Sequence, residues 1–153
     1  MIRVWRISAS RHSAFDGEGA RLNGGRWNRP GTPVVYTSST LALAALETLV
    51  RFETPEEPED LVAVPADISE GAAILRIRAE DLPADWTRLP PPDHLAELGT
   101  RWARAGETPV LAIPSAVIPQ ELNYLLNPLH PHFKRIRVGR PEPFRFDPRL
   151  RRH

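Results

Sequence analysis

The stretch PVVYTSSTLALAALETLVRF, residues 33–52, carries the strongest structural signals in this chain. Its first part, residues 33–37, is a short apolar run with a tyrosine and predicts a strand. Ser38 and Ser39 then offer N-caps for a helix over residues 40–52, a segment rich in alanine and leucine. A strand followed at once by a helix indicates a domain that mixes both kinds of element.

Further elements are predicted on both sides of this unit. Strands are expected at residues 2–7, 61–65, 73–78, 110–115, 122–126, 133–138 and 144–146, and a second helix at residues 93–104, ended by Gly106. Residues 8–32 form an irregular stretch that is too long for a mere connection, which is typical of a functional loop. The strands after residue 106 are too closely spaced for repeated βαβ units. We therefore predict an α+β fold with a mixed or antiparallel sheet.

The composition bounds the protein class. A chain of 153 residues, 41% hydrophobic and 25% charged, predicts one globular domain over residues 1–153, with a core of about 2–138 and a basic C-terminal segment 139–153. The 17 prolines break the chain into short elements and exclude long helical bundles. The net charge of +1 gives no overall excess that favours nucleic acid.

Several classes of chemistry are excluded by missing residues. The absence of cysteine excludes disulfides, Cys-ligated zinc and thiol catalysis, and the five histidines show no HExxH spacing, so we expect no metal. Ser115 has no GxSxG motif around it, which disfavours a serine hydrolase. The N-terminus lacks a signal peptide and no segment is a membrane span, so we expect a soluble cytoplasmic protein.

Glu47 lies at the edge of the predicted helix's apolar arc, which is formed by Leu43, Leu46, Leu49 and Val50. A carboxylate there suits a positioned acid or hydrogen-bond acceptor. The alternative is a surface glutamate paired with Arg51 four residues on.

Three further residues leave similar choices open. Arg6 shares a strand face with aliphatic residues, so its head either reaches solvent or binds an anion. Tyr36 is either a core residue or a ring that stacks on a flat ligand. Arg26 lies in GEGARLNGGRWN, residues 17–28, which lacks the third glycine of a dinucleotide fingerprint but suits either a hairpin or a phosphate-binding loop.

The end of the chain offers a non-enzymatic alternative. From Lys134 to His153 basic residues far outnumber Glu142 and Asp147, and Phe144 and Phe146 lie among them. Such a segment could bind RNA or a protein partner. It lacks the pattern of an aromatic stacking platform, which favours a solvated edge.

Taken together, these residues resemble the RES-domain family, toxins of bacterial toxin–antitoxin pairs. The resemblance covers most of the chain: VWRI at residues 4–7, residues 17–50 with the glycine-rich block, VVYT and a helix ending in LE, IPSAVIPQELNYLLNPLHPHF at residues 113–133, and FDPRL at residues 146–150.

The resemblance implies a fold similar to ADP-ribosyltransferases and cleavage of the nicotinamide–ribose bond of NAD, by hydrolysis or with phosphate as co-substrate. The family's arginine, glutamate and serine fall on Arg6, Glu47 and Ser115. Tyr36 and Arg26 match its tyrosine and the arginine of its GGRWN block. Ile7 stands where family members have a second aromatic residue, so one stacking partner differs.

The resemblance also implies partners. It predicts an Xre-like helix-turn-helix antitoxin that blocks the active site, contact with DNA only through that antitoxin, and a homodimer within the complex. NAD would be a substrate, with no prosthetic group. The leading hypothesis is thus an NAD glycohydrolase or phosphorylase that arrests growth. Mono-ADP-ribosylation of a protein and an RNA- or partner-binding module are the alternatives.

Overall fold

The computed structural model describes residues 1–52 and 60–151. In these residues it contains eight strands, β1 Ile2–Ala9, β2 Val35–Ser38, β3 Leu61–Ile68, β4 Ile74–Arg76, β5 Val110–Pro114, β6 Leu122–Leu126, β7 Arg137–Val138 and β8 Glu142–Pro143. Three α-helices accompany them, α1 Glu18–Asn23, α2 Leu41–Leu49 and α3 Asp93–Ala105. The predicted α+β class is confirmed.

All eight strands join one mixed sheet. Its order is β4-β5-β6-β2-β1-β3-β7, with β8 also paired to β3. The β4–β5 pair is parallel, and the remaining pairs are antiparallel. The sheet is therefore mixed and mostly antiparallel, as expected.

Successive residues of the central strands pack into different apolar clusters. The first core cluster contains Val4, Phe15, Val35, Val64, Ala112 and Leu126, and the second contains Trp27, Val34, Trp86, Leu95, Trp102, Leu111, Ile113 and Leu125. Neighbours such as Leu125 and Leu126 belong to opposite clusters because side chains alternate across a strand. The sheet is thus covered on both faces, and α3 packs on the second one.

Helix α2 begins one residue later than the two serines suggest. Thr40 has an extended backbone, and its side chain accepts a hydrogen bond from the Leu43 N–H, so Thr40 is the N-cap. Ser38 still belongs to β2, where it pairs with Asn123. The helix ends at Leu49, and Val50 is exposed rather than part of the apolar arc.

Other predicted boundaries were wrong for local reasons. The expected irregular stretch 8–32 holds α1, which lies between Gly17 and Gly24, both with positive φ. Residues 133–138 begin with a 3-10 turn, Phe133–Arg135, before the two-residue β7. Residues 144–146 are not a strand; the ring of Phe146 is buried edge-on against those of Phe52 and Phe144.

No helix in residues 1–52 and 60–151 is both long and apolar enough to cross a membrane.

Candidate active site

The carboxylate of Glu47 is bound by the sheet. Its Oε1 accepts a hydrogen bond from the Ser115 hydroxyl at 2.6 Å and another from the Asn123 side-chain amide at 2.8 Å. Ser115 is fully buried directly after β5, and Asn123 lies in β6. Two residues separated from Glu47 by more than sixty positions in the chain therefore hold this carboxylate.

The strand register explains why these side chains meet. Asn123 of β6 is paired with Ser38 of β2 on one side and with Ile113 of β5 on the other. Paired residues point to the same face of an antiparallel sheet, and Ser115 lies two residues beyond Ile113, so it shares that face. Helix α2 follows β2 directly and packs against it, which brings Glu47 over this end of the sheet.

The hydroxyl of Ser115 has a fixed direction. Its oxygen accepts hydrogen bonds from the backbone N–H groups of Val117, at 3.1 Å, and Ile118, at 3.0 Å. With the oxygen used as an acceptor in this way, the hydroxyl proton points to Glu47. Ser115 therefore acts as an orienting donor to the carboxylate.

Arg51 binds the backbone of Glu47 and not its carboxylate. Its Nε donates to the backbone carbonyl oxygen of Glu47 at 3.1 Å, while the carboxylate bonds to the sheet. The alternative of an i,i+4 surface ion pair between them is therefore wrong.

Arg26 is held half-buried near the carboxylate. Its Nη1 donates to the carbonyl oxygens of Trp86, at 2.9 Å, and Arg88, at 3.2 Å. Burial lowers the pKa of Arg26, and the negative charge of Glu47 opposes that shift. Arg26 and Glu47 thus lie within electrostatic reach of each other, as a cation and an anion of one site.

The hydroxyl of Tyr36 is occupied by the protein. It donates to the Asn28 side-chain oxygen at 2.6 Å and accepts from the Trp27 N–H at 3.1 Å. Burial raises the pKa of Tyr36, so the phenol stays protonated at neutral pH. Its hydroxyl locks the glycine-rich loop, which leaves the ring as the part that a ligand could touch.

The glycine-rich loop, residues 17–32, is docked on α3. The Trp27 carbonyl lies so close to Gly99 that a Cβ there would be 1.8 Å from the oxygen. The Arg29 N–H donates to the Thr100 hydroxyl at 2.9 Å, and its guanidinium pairs with Asp93 at 2.8 Å. The position of Arg26 therefore depends on helix packing.

An open groove adjoins this loop. It has a volume of about 400 Å³ and is lined by Gly24, Gly25 and Arg26 on one side and by Pro91, Pro92 and Asp93 on the other. It offers room for a ligand beside Arg26. A smaller cleft of about 130 Å³, next to His132 and Arg135, contains none of the expected site residues.

The side chain of Arg6 makes its described contacts with residues close to it in the sequence. Its Nη1 donates to the Ser8 hydroxyl and the His12 carbonyl oxygen, and its guanidinium carbon lies 5.9 Å from the centre of the Phe15 ring. Burial lowers the pKa of Arg6, and the positive charge of Arg51 adds to that effect. Within the described part of the chain, Arg6 makes no hydrogen bond to Glu47.

Two residues of this site were missed by sequence reasoning: Asn123 binds the carboxylate, and Asn28 binds Tyr36. Arg51 was considered only as an ion-pair partner of Glu47, and it lies near enough to affect the pKa values of both Arg6 and Tyr36. The one available signal was a polar Asn123 in the otherwise apolar strand LNYLL. For metals, residues 1–52 and 60–151 hold no cluster of three or more His, Asp or Glu residues that could bind an ion.

Comparison with known proteins places this chain in a family. The RES domain family model matches residues 3–147. The Prs ADP-ribosylating toxin of Sphingobium sp. (strain YBL2) is 35% identical, over 95% of this chain and 94% of its own length. The protein Toxin Res of Yersinia enterocolitica is 34% identical, over 97% and 99%.

A solved structure agrees in fold. A chain of the M. tuberculosis MbcT–MbcA toxin–antitoxin complex superposes with a TM-score of 0.75 and 16% identity, covering 97% of this chain and 86% of that one. With the family match over nearly the whole length, this chain belongs to the RES domain family.

Proposed function

We propose that this protein is the toxin of a toxin–antitoxin pair and that it cleaves the nicotinamide–ribose bond of NAD. The observation that carries the proposal is the Glu47 carboxylate, bound through one oxygen by Ser115 and Asn123 and within electrostatic reach of Arg26. Support for a toxin comes from relatives that are named toxins and are about one-third identical over nearly the full chain.

The reaction needs little from the protein except placement and charge. The bond between the nicotinamide nitrogen and ribose C1′ breaks, and its electron pair leaves with the neutral nicotinamide. A water or phosphate oxygen then bonds to C1′; in the reaction with water, one proton is released. The transition state resembles an oxocarbenium ion, which a fixed carboxylate stabilises.

Each site residue has a proposed role in that step. Glu47 faces the developing positive charge and holds the ribose hydroxyls, and Ser115 orients it. The ring of Tyr36 stacks on nicotinamide. Arg6 and Arg26 bind the substrate phosphates; each uses only Nη1 toward the described residues, which leaves further guanidinium N–H groups for forked hydrogen bonds.

Transfer of ADP-ribose to a protein is the second candidate, because one relative carries the name ADP-ribosylating toxin. The same carboxylate would serve both reactions, since only the oxygen or nitrogen that attacks C1′ differs.

For partners, we propose a protein antitoxin that covers the site, since the similar fold was solved as a toxin–antitoxin complex. We further propose that the antitoxin is of the Xre helix-turn-helix type, that it supplies any DNA contact, and that the toxin acts in the cytoplasm.

The test is to incubate the purified, antitoxin-free protein with NAD and to separate the products. Nicotinamide with free ADP-ribose indicates hydrolysis, nicotinamide with a phosphorylated ADP-ribose that forms only in phosphate buffer indicates phosphorolysis, and label on protein indicates transfer. A folded sample that releases no nicotinamide, with or without phosphate, would overturn the proposal.

A further inference from the structure

The two oxygens of the Glu47 carboxylate are used unequally. Both hydrogen bonds, from Ser115 and from Asn123, go to Oε1. In residues 1–52 and 60–151 no hydrogen bond engages Oε2. One oxygen therefore anchors the side chain, and the other is available to a ligand.

The amide of Asn123 can offer only its N–H group to Glu47. Its side-chain oxygen accepts a hydrogen bond from the Ser38 hydroxyl at 2.7 Å. Ser38 is buried, and it is the cross-strand partner of Asn123 in the β2–β6 pair. A flipped amide would set its oxygen against the carboxylate of Glu47, which only accepts hydrogen bonds, so the donor chain Ser38 to Asn123 to Glu47 has one direction.

The groups near Glu47 include both cations and neutral hydrogen-bond donors. The cations near it are Arg26, from the glycine-rich loop, and Arg51, from the end of its own helix. The sheet contributes only neutral groups, the hydroxyl of Ser115 and the amide of Asn123. An aspartate at position 123 would set a second carboxylate about 2.8 Å from Oε1.

We propose that Asn123 is a positioning residue for the reaction. Its side-chain N–H binds Oε1 of Glu47, so that Oε2 points to the ribose of the substrate. Because Asn123 is neutral, no second negative charge lies beside the Glu47 carboxylate. This inference rests on the proposed NAD cleavage. Asn123 acts on kcat through the orientation of Glu47 and makes no contact with the substrate.

The first experiment compares Asn123→Asp with the wild type in the pH dependence of kcat for nicotinamide release. Two adjacent carboxylates share a proton, because the second ionisation is disfavoured by the first. The active, fully ionised form is then reached at higher pH, so the acid limb of the profile moves upward by about one pH unit or more. At its plateau kcat falls by roughly tenfold or more, since repulsion turns Glu47 away, while KM changes by about twofold or less, because Asn123 does not bind substrate.

Asn127→Asp is the matched control. Asn127 is also buried and follows β6, but its side chain binds the Ala103 carbonyl oxygen and the Leu129 N–H, remote from Glu47. This variant lowers stability and leaves the acid limb in place. A wild-type profile for Asn123→Asp, or an equal displacement in both variants, would overturn the proposal.

A second readout does not depend on turnover. In protein labelled with ¹³C at its glutamate carboxyls, the Glu47 resonance is the one missing from Glu47→Gln. In Asn123→Asp that resonance should titrate at higher pH than in the wild type, and in Asn127→Asp it should not move. If the wild type releases no nicotinamide, the proposed function fails while this titration still tests the contact.

If Asn123→Asp does not fold, Ser38→Ala tests the same proposal. Loss of the Ser38 hydroxyl frees the amide of Asn123 to turn, so kcat should fall by about three- to tenfold with KM unchanged. An unchanged kcat in folded Ser38→Ala protein would contradict the directed donor chain.

Discussion

The carboxylate side and the arginine side of this site are built in different ways. The carboxylate side, made of Glu47 with Ser38, Ser115 and Asn123, is fixed by the register of β2, β5 and β6. The arginine side, Arg26 with Asn28, lies on a loop that is docked on α3 and bonded to Tyr36 of β2. The proposed catalytic charge, Glu47, is thus held by the sheet, whereas Arg26, which we propose binds a substrate phosphate, rests on a loop.

This contrast has a kinetic consequence. Damage to the sheet-bound side should lower kcat, because the oriented carboxylate acts in the transition state. Substitutions on the loop-bound side should mainly raise KM, because they weaken contacts that the protein makes equally with the bound substrate and with the transition state. Substitutions on each side therefore test whether the two sides act on kcat and KM separately.

Among the residues that support Glu47 and the loop, substitution of Ser115 by alanine should have the largest effect. It removes the shorter of the two hydrogen bonds to Oε1 and leaves the Val117 and Ile118 N–H groups without their acceptor. We expect kcat to fall by about 100-fold, or roughly 2.7 kcal/mol, with little change in KM. Ser69→Ala, at an exposed position just after β3, is the control and should keep wild-type kinetics. A rise in KM at constant kcat would contradict the assigned role.

Gly99→Ala should come next and act on the loop-bound side. Its Cβ would overlap the Trp27 carbonyl, a backbone group that cannot rotate away, so the loop must shift. We expect a loss of roughly 2 kcal/mol in the free energy of unfolding and a rise in KM of about tenfold.

The helical Gly19 of α1 provides a matched control for Gly99, because a Cβ there meets nothing within 4 Å. Gly19→Ala should be neutral or slightly stabilising. Denaturant unfolding and steady-state kinetics of the two variants check this, and equal behaviour would show that the loop does not depend on α3.

Tyr36→Phe should have the smallest effect of the three. It leaves the Asn28 side-chain oxygen and the Trp27 N–H without their partner but keeps the ring. We expect a loss of about 1–2 kcal/mol in stability, a raised KM and a nearly unchanged kcat. Tyr124→Phe is the control, because the Tyr124 hydroxyl makes no hydrogen bond to any residue in 1–52 or 60–151. This substitution should change neither the stability nor the KM measurably.

Local patterns predicted the elements that hold the carboxylate. The apolar run before Ser38, the alanine- and leucine-rich helix and the strand of residues 122–126 all follow from short-range periodicity, and the structure contains them. The position of Glu47 at the edge of an apolar helix face likewise depends only on spacing within one helix.

The pairings between elements were not predictable in the same way. That Asn123 meets Glu47 depends on the registers of β2–β6 and β5–β6, which join residues more than eighty positions apart in the first pair and about ten apart in the second. The position of Arg26 depends on long-range contacts, among them the close approach of Trp27 to Gly99 and the bonds to the carbonyls of Trp86 and Arg88. Periodicity within a segment carries no information on such contacts. Resemblance to the family named Glu47 and Ser115 as site residues, but it did not name Asn123 or Asn28.

The most direct test of the central claim is the rate of nicotinamide release from NAD by the wild type and by Glu47→Gln. Glutamine has the same shape but no negative charge, so it cannot stabilise the oxocarbenium-like transition state. We expect kcat to fall by about 10³-fold or more in a variant that thermal unfolding shows to be folded. A Glu47→Gln protein that releases nicotinamide at the wild-type rate would contradict it.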